Sequence, residues 1–268
     1  MSANFDQLPS ALKKQSTLEK LGPTGVPSLL VRPESPSDSP PPLVIWMHGR
    51  TAFKELDPGR YLRFMRAGIA TCAIDLPGHG ERSDETLQTS EHVLDVVVQM
   101  VEELDEVVKE ATAALASDPD RIGIGGMSAG GMVALARLTR PHRFMAASIE
   151  ATSGNWSFQS RLPMLESNRA DLLHEWDPIR HLQGWREIPI QAFHCKADEW
   201  VPFDGQDAFI KSLRNQYENP ELIDWMTYDQ TGTLHEHVGF GPHSADVKER
   251  QRSFFQSSFG ITPETIEP

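Results

Sequence analysis

Residues 126–130 read Gly-Met-Ser-Ala-Gly, and this stretch decides the fold of the chain. It follows a short apolar run at 121–125 and precedes a run typical of a helix at 132–139. A Gly-x-Ser-x-Gly stretch between a buried strand and a helix predicts a nucleophile elbow, a sharp turn that presents the serine oxygen at its tip. Glycine suits the positions two before and two after the serine, because neighbouring backbone lies close there. The stretch therefore predicts that Ser128 is a catalytic nucleophile.

A glycine-rich turn that holds a phosphate is the alternative interpretation of residues 123–131. A Walker loop requires Lys followed by Ser or Thr after its last glycine, and neither occurs here. A dinucleotide-binding fingerprint requires glycine at the sixth position counted from Gly123, where the chain has Ser128. The elbow is therefore the interpretation that the sequence favours.

Length and composition indicate a globular α/β domain. The chain has 268 residues, of which 39% are hydrophobic, and this is ample for one domain over 1–268 with a large core. The net charge of −13 argues against a nucleic-acid partner, because an acidic surface repels phosphate. No apolar run approaches the ~20 residues of a membrane span. Residues 1–20 lack the pattern of a signal peptide, so we expect a cytoplasmic protein without a membrane partner.

Apolar, strand-like segments alternate with helical segments along most of the chain. The predicted strands are a hairpin within 17–32 and then 43–47, 69–75, 121–125, 144–150, 188–194 and 222–228. The predicted helices are 59–67, 91–116 with Ser90 as its N-cap, 132–139, 206–216 and 244–259. Continuously apolar strands interleaved with helices predict a mostly parallel sheet covered on both faces. Residues 152–186 interrupt the alternation and contain three tryptophans, which favours a small lid-like insertion.

A catalytic serine needs a general base, and the base needs an orienting carboxylate. With a nucleophile elbow, the expected chain order is serine, acid and then histidine. Each should follow a strand, because the carboxyl ends of parallel strands hold the site. Asp198, after the predicted strand 188–194, is the expected acid. Its neighbour Glu199 and the more distant Glu150 are the alternatives.

Three histidines follow the last predicted strand. His235 lies nearest to that strand and is the expected base, with His237 as the main alternative and His243 close to the final helix. The His-x-His spacing also suits two metal ligands, with Asp198 or Cys195 to complete a site. Because a metal site leaves the elbow without a role, we expect no metal and no cofactor.

The oxyanion hole is expected to use two backbone N–H groups. Arg50 follows His48-Gly49 at the end of the first core strand, where Gly49 allows a close approach of the backbone. Ala129 follows the nucleophile in the elbow and supplies the second N–H group. For the Arg50 side chain we expect solvation at the surface, with a substrate carboxylate or an acidic neighbour as the alternative partner.

Together these motifs resemble the α/β-hydrolase family over residues 43 to about 240. The matching segments are His48-Gly49-Arg50, Asp75-Leu76-Pro77-Gly78-His79-Gly80, residues 118–123, the elbow, Asp198 with Val201-Pro202, and the His235 region. The N-terminal hairpin and the proline-rich lead into residue 43 look like the small-esterase, dienelactone-hydrolase-like and prolyl-oligopeptidase-like branches. Dienelactone hydrolases usually have Cys where this chain has Ser128, and typical members have Gly where this chain has Leu234.

The resemblance implies an α/β-hydrolase fold and a serine hydrolase that cleaves a small-molecule ester through an acyl-enzyme intermediate. A peptidase or amidase of the same fold is one alternative function. A non-catalytic ligand-binding protein that retains the fold is the other, and it is disfavoured because every catalytic residue type is present.

Overall fold

The N-terminal part of the sheet is the predicted hairpin. The computed structural model describes residues 4–33, 39–159 and 170–262. Strands β1 (Ser16–Leu21) and β2 (Val26–Val31) pair antiparallel around a turn with positive φ angles at Gly22 and Gly25. Glycine adopts such angles without strain, so the turn is compatible with tight pairing. β2 also pairs antiparallel with β4, which attaches the hairpin to the rest of the sheet.

Six parallel strands form the remainder of the sheet. They are β3 (Leu43–Met47), β4 (Ala70–Ile74), β5 (Ile122–Met127), β6 (Ala146–Glu150), β7 (Ile190–Cys195) and β8 (Ile223–Tyr228). The strand order is β1-β2-β4-β3-β5-β6-β7-β8. β3, β4, β6 and β7 are buried along their whole length, as expected of parallel strands covered on both faces. The predicted fold class, a mostly parallel α/β-hydrolase sheet, is confirmed.

Helices cover both faces of this sheet. They are α1 (Ser10–Lys14), α2 (Pro58–Arg66), α3 (Val93–Leu115), α4 (Ala129–Leu138), α5 (Ala170–Trp176), α6 (Phe203–Arg214) and α7 (Ser244–Ser258). Buried side chains of α1 and α2 and Phe255 of α7 belong to one apolar cluster, and those of α3, α4, α5 and α6 belong to a second. Val247 of α7 belongs to a third, small cluster with Phe193 and Phe240. None of the helices in the described ranges is long and apolar enough to cross a bilayer. The N-cap of α3 is His92 and not the predicted Ser90, because a 3-10 turn at Ser90–His92 precedes the helix.

The described part of the predicted insertion 152–186 packs on the core, and residues 160–169 lie outside the described ranges. Its three tryptophans are buried in the larger apolar cluster: Trp156, Trp176 and Trp185. Phe158 is half exposed. Because these tryptophans are part of the core, they do not form a movable lid, and a lid role for this segment remains a prediction. A single domain over 1–268 also remains a prediction.

Candidate active site

The elbow between β5 and α4 holds Ser128 in a strained conformation. Its φ of 51° and ψ of −117° lie in a region that residues other than glycine rarely adopt. The N–H of Ser128 donates to the Glu150 carbonyl at 2.9 Å, and its carbonyl accepts from Met132 N at 2.9 Å and Thr152 Oγ1 at 2.8 Å. These hydrogen bonds fix the turn on both sides and leave the serine side chain partly exposed.

Two glycines let the elbow lie directly against neighbouring backbone. A Cβ atom on Gly126 would lie 2.5 Å from the carbonyl carbon of Gly130. A Cβ atom on Gly130 would lie 2.3 Å from the carbonyl oxygen of Met47 in β3. Backbone atoms cannot give way as a flexible side chain can, so both positions require glycine.

Ser128, His237 and Asp198 form a continuous chain of hydrogen bonds. His237 Nε2 lies 3.0 Å from Ser128 Oγ, and His237 Nδ1 lies 2.8 Å from Asp198 Oδ2. An ionised carboxylate only accepts hydrogen bonds, so the proton of a neutral His237 belongs on Nδ1. Nε2 then faces the serine hydroxyl with a free lone pair, which is the arrangement that a general base requires.

The Asp198 carboxylate is oriented by the turn that follows β7. Its Oδ1 atom accepts from the backbone N–H groups of Trp200 at 2.9 Å and Val201 at 2.7 Å. Its Oδ2 atom remains for His237, and the whole side chain is buried. The expected acid therefore lies where the sequence places it, at the carboxyl end of its strand.

The structure corrects the expectation that His235 reaches the nucleophile. His235 Nδ1 lies 2.8 Å from Glu199 Oε2, and the His235 ring stacks on Trp200 with 4.9 Å between ring centroids. The cause is the backbone, because positive φ angles of 54° at His235 and 49° at Glu236 coil the chain within a single turn. This coil directs His235 to the partly exposed rim and His237 to Ser128. Glu199, the alternative acid, pairs with the outer histidine.

Glu236 makes hydrogen bonds within the turn after β8 that the sequence did not indicate. Its carboxylate accepts from the backbone N–H and the hydroxyl of Thr231 and from the N–H of Gly232. Cys195, which was considered as a metal ligand, has its Sγ atom 3.5 Å from the same carboxylate. Hydrogen bonds from the Thr231 backbone and hydroxyl lower the pKa of Glu236. The Glu236 carboxylate thus connects residues 231–232 to the segment that precedes His237.

His48 orients the peptide that joins Gly49 to Arg50. His48 Nε2 accepts from the N–H of Leu76 at 3.1 Å, so His48 Nδ1 carries the proton and donates to the Gly49 carbonyl at 2.7 Å. Burial lowers the pKa of His48 to about 4, which keeps this ring neutral at neutral pH. The C=O and N–H of a trans peptide point in opposite directions, so the Arg50 N–H is directed away from His48.

Both predicted oxyanion donors are free to bind a ligand. A Cβ atom on Gly49 would lie 3.3 Å from Ser128 Cβ, so the backbone that precedes Arg50 lies against the nucleophile. Within the described ranges, neither the Arg50 nor the Ala129 backbone N–H donates a hydrogen bond. Both residues line the cavity at Ser128, so an anionic oxygen of a ligand can accept from both N–H groups.

A cavity of about 740 Å³ opens at Ser128 and His237. Its walls are largely apolar, and four of its large apolar side chains are exposed at the rim: Leu56, Trp200, Leu234 and Val238. A concave, mostly apolar site of this size suits a small organic molecule. The described residues that line it include none from 152–186, so the lid-like role expected of this insertion has no support in this part of the chain.

Glu150 and Arg60 form a buried ion pair at the cavity wall. Arg60 Nη2 lies 2.9 Å from Glu150 Oε1 and 2.8 Å from Asp57 Oδ2. The guanidinium of Arg60 also lies 3.8 Å from the ring centre of Trp46, and Gln251 Nε2 donates to Glu150 at 2.9 Å. Glu150, the more distant alternative acid, is therefore fully engaged away from His237. No sequence pattern pointed to Arg60.

The fold and this site define an enzyme of the α/β-hydrolase class. The model of the alpha/beta hydrolase family matches residues 44–257, and the chain belongs to this family.

Relatives of known name agree with this class. The chain is 24% identical over 221 residues to YitV of Bacillus subtilis (strain 168), which is provisionally named an esterase; the match covers 76% of this chain and 87% of YitV. The chain is 26% identical over 196 residues to the esterase YjfP of Escherichia coli (strain K12), and the match covers 67% of this chain and 77% of YjfP.

A solved structure shares the fold. The puromycin-hydrolysing peptidase of Mycobacterium tuberculosis superposes with a TM-score of 0.73 at 20% identity. The superposition covers 95% of this chain and 41% of the peptidase, so this chain spans less than half of that protein. At this identity the likeness shows a common fold and no more.

Proposed function

We propose that the protein is a serine hydrolase that cleaves carboxylic esters through an acyl-enzyme intermediate. The observation that carries the proposal is the pair of hydrogen bonds, 2.8 Å and 3.0 Å long, that link Asp198 through His237 to Ser128. The esterase names of two relatives support an ester as the substrate. The apolar cavity at Ser128 supports a small organic molecule as the carrier of that ester.

Acylation begins when Ser128 Oγ attacks the ester carbonyl carbon and its proton passes to His237 Nε2. The Asp198 carboxylate stabilises the imidazolium that forms, while the N–H groups of Arg50 and Ala129 bind the oxyanion of the tetrahedral intermediate. When the intermediate collapses, the C–O bond to the alcohol breaks. His237 gives its proton to the departing alkoxide, and the acyl group remains on Ser128.

Deacylation repeats these steps with water in place of the serine. His237 Nε2 takes a proton from a water molecule, whose oxygen attacks the acyl carbon. The second tetrahedral intermediate uses the same two N–H donors. Its collapse breaks the bond to Ser128 Oγ, which recovers its proton from His237, and the carboxylic acid is released.

Strain at Ser128 has a direct use in this mechanism. A side chain at the tip of a turn with positive φ projects into the cavity, and the α4 helix begins at the next residue. The N-terminus of a helix favours negative charge, so developing charge on the oxyanion is stabilised there. Removal of one oxyanion donor in such enzymes costs about 10²–10³ in kcat, which indicates how much of the rate depends on this geometry.

Replacement of Ser128 by Ala tests the proposal. We expect S128A to lose hydrolysis of 4-nitrophenyl butyrate, while S257A, which alters an exposed serine on α7, retains it. Parallel assays with the matched butyryl 4-nitroanilide separate an esterase from an amidase. Unchanged ester hydrolysis by S128A would overturn the assignment of the nucleophile.

A further inference from the structure

Arg50 is a cation in the catalytic cavity that has no carboxylate partner among the described residues. Two other cations line the same cavity, and both are paired: Arg60 with Asp57 and Glu150, and Lys248 with Asp57 at 2.8 Å. No carboxylate within the described ranges forms an ion pair with the Arg50 guanidinium. The expectation of a surface-solvated side chain is corrected, because Arg50 is half buried and lines the cavity.

The guanidinium is held in place and still has free donors. Arg50 Nη1 donates to the Gln88 carbonyl at 3.0 Å, and the guanidinium carbon lies 5.9 Å from the ring centre of Trp200. A guanidinium has five N–H donors, so most of them remain available. Burial lowers the pKa of Arg50, as expected where no carboxylate offsets the loss of water around the charge. A partly desolvated cation of this kind favours the binding of an anion.

The position and shape of the guanidinium favour an anion that is part of the substrate. Arg50 also supplies the proposed oxyanion N–H, so its side chain departs from the same residue that holds the reacting carbonyl. The planar fork of a guanidinium matches a carboxylate through two parallel hydrogen bonds. The chain carries a net charge of −13, which repels anions at long range, so any preference for them must come from a local cation.

The one acidic side chain at the cavity that needs separate attention is Glu199. Its Oε2 atom lies 2.8 Å from His235 Nδ1 at the partly exposed rim. The charge of Glu199 is therefore directed to the outer histidine and leaves Arg50 for a ligand.

We propose that Arg50 binds a free carboxylate on the substrate, so that the enzyme prefers esters that carry one. This inference rests on the proposed ester hydrolysis and specifies its substrate class. The carboxylate can belong to the acyl part, as in a half-ester of a dicarboxylic acid, or to the alcohol part, as in an acylated hydroxy acid. Both sources present the same group to the guanidinium.

Three chromogenic esters distinguish these sources. They are the neutral 4-nitrophenyl pentanoate, the mono-4-nitrophenyl ester of glutaric acid with its carboxylate on the acyl side, and 3-carboxy-4-nitrophenyl pentanoate with its carboxylate on the leaving group. The spontaneous hydrolysis of each ester is subtracted, which for the glutarate includes attack by its own carboxylate to form the cyclic anhydride. After a further correction for the hydroxide-catalysed rate, we expect kcat/KM to favour one of the charged esters at least tenfold, as a charged hydrogen-bonded pair can provide.

The readout is the kcat/KM for the charged ester divided by the kcat/KM for the neutral ester. A variant that disturbs the oxyanion hole affects both values equally, so this effect cancels in the ratio. We expect R50M to reduce the ratio to about one and R50K, which keeps the charge, to retain part of it. K109M, which removes a remote exposed charge from α3, should leave the ratio unchanged. Absence of any preference in the natural enzyme, or a preference that survives in R50M, overturns the proposal.

Binding to a variant without the nucleophile separates this inference from the proposed catalysis. We expect calorimetry with S128A to show tighter binding of monomethyl glutarate than of neutral dimethyl glutarate, and the difference to vanish in S128A/R50M. If the kinetic comparison places the carboxylate on the alcohol side, pentanoyl glycolate and its methyl ester replace this pair. Equal binding within the pair that matches the preferred ester refutes the carboxylate site even if the esterase assignment holds. Loss of ester turnover in every assay, with preferential binding intact, instead refutes the esterase assignment.

Discussion

His237 Nε2 lies 3.0 Å from Ser128 Oγ, although 109 positions separate the two residues in the chain. The contact exists because β5 and β7 end at the same edge of the sheet, and the turn after β8 reaches back over that edge. Asp198, after β7, completes the contact from a third segment. The proposed chemistry depends on this convergence of three loops.

Separate substitutions of His237 and His235 distinguish the roles of these two histidines. We expect H237Q to lower kcat/KM for an activated ester by about 10²–10⁴-fold, because general base catalysis contributes on that scale. H235Q is the matched control and should lose far less, since its ring contacts Glu199 and Trp200. Steady-state kinetics decide, and a larger loss in H235Q would restore His235 as the base.

Asp198 and Glu199, the carboxylates that contact these two histidines, allow the same comparison. D198N presents an amide N–H to His237 Nδ1 and so favours the tautomer whose Nε2 carries the proton, which cannot accept one from Ser128. We expect a loss of about 10⁴-fold in kcat. E199Q should retain most of the activity because Glu199 contacts the outer histidine. Similar losses in both variants would show that Asp198 has no special role.

Glu236 is expected to act through the position of His237. E236A removes the acceptor for Thr231 and Gly232, so the turn relaxes and His237 moves from Ser128. A misplacement of about 1 Å can cost on the order of 10²-fold in rate, and we expect the loss in kcat with little change in KM. The exposed E218A is the control for a lost carboxylate. A change in KM alone would contradict a positioning role.

His142 should make the protein less stable in acid. Both of its ring nitrogens are buried without a partner in the described ranges, and burial lowers its pKa to about 4 from 6.5. The unfolded chain therefore takes up a proton first as the pH falls, and stability declines between pH 6.5 and pH 4. Because the side chain is partly exposed, solvent screens part of this effect. We expect the free energy of unfolding to fall by about 1–2 kcal/mol.

The test of this decline is the variant H142F, which cannot be protonated. Urea unfolding of H142F at pH 7 and pH 4.5 should show a smaller loss of free energy of unfolding than the natural protein shows. Ester hydrolysis should persist, since His142 does not line the cavity. An identical pH dependence in both proteins would show that His142 does not contribute.

Much of the fold could be predicted because its physical basis is local. Strands such as Leu43–Met47 are buried on both faces, so they appear in the sequence as unbroken apolar runs. The elbow could also be predicted from the sequence, because only glycine fits at Gly126 and Gly130. The short helix Ser10–Lys14 was not predicted as a helix, since its five residues are too few to give a periodic pattern.

The choice between His235 and His237 could not be made from spacing. It depends on positive φ angles at His235 and Glu236, two residues that seldom adopt them. Those angles are maintained by contacts of Glu236 with Thr231 and Gly232, which exist only once the turn has formed. The same applies to Arg60, whose partner Glu150 is 90 positions away.

Labelling by a fluorophosphonate tests the central claim most directly, because this reagent forms a stable adduct with an activated serine. Intact mass and peptide mapping should show one adduct per chain, located on Ser128, with labelling abolished in S128A and strongly slowed in H237Q. An unlabelled natural protein that is correctly folded, or an adduct on another residue, would contradict the assignment of Ser128 as the nucleophile.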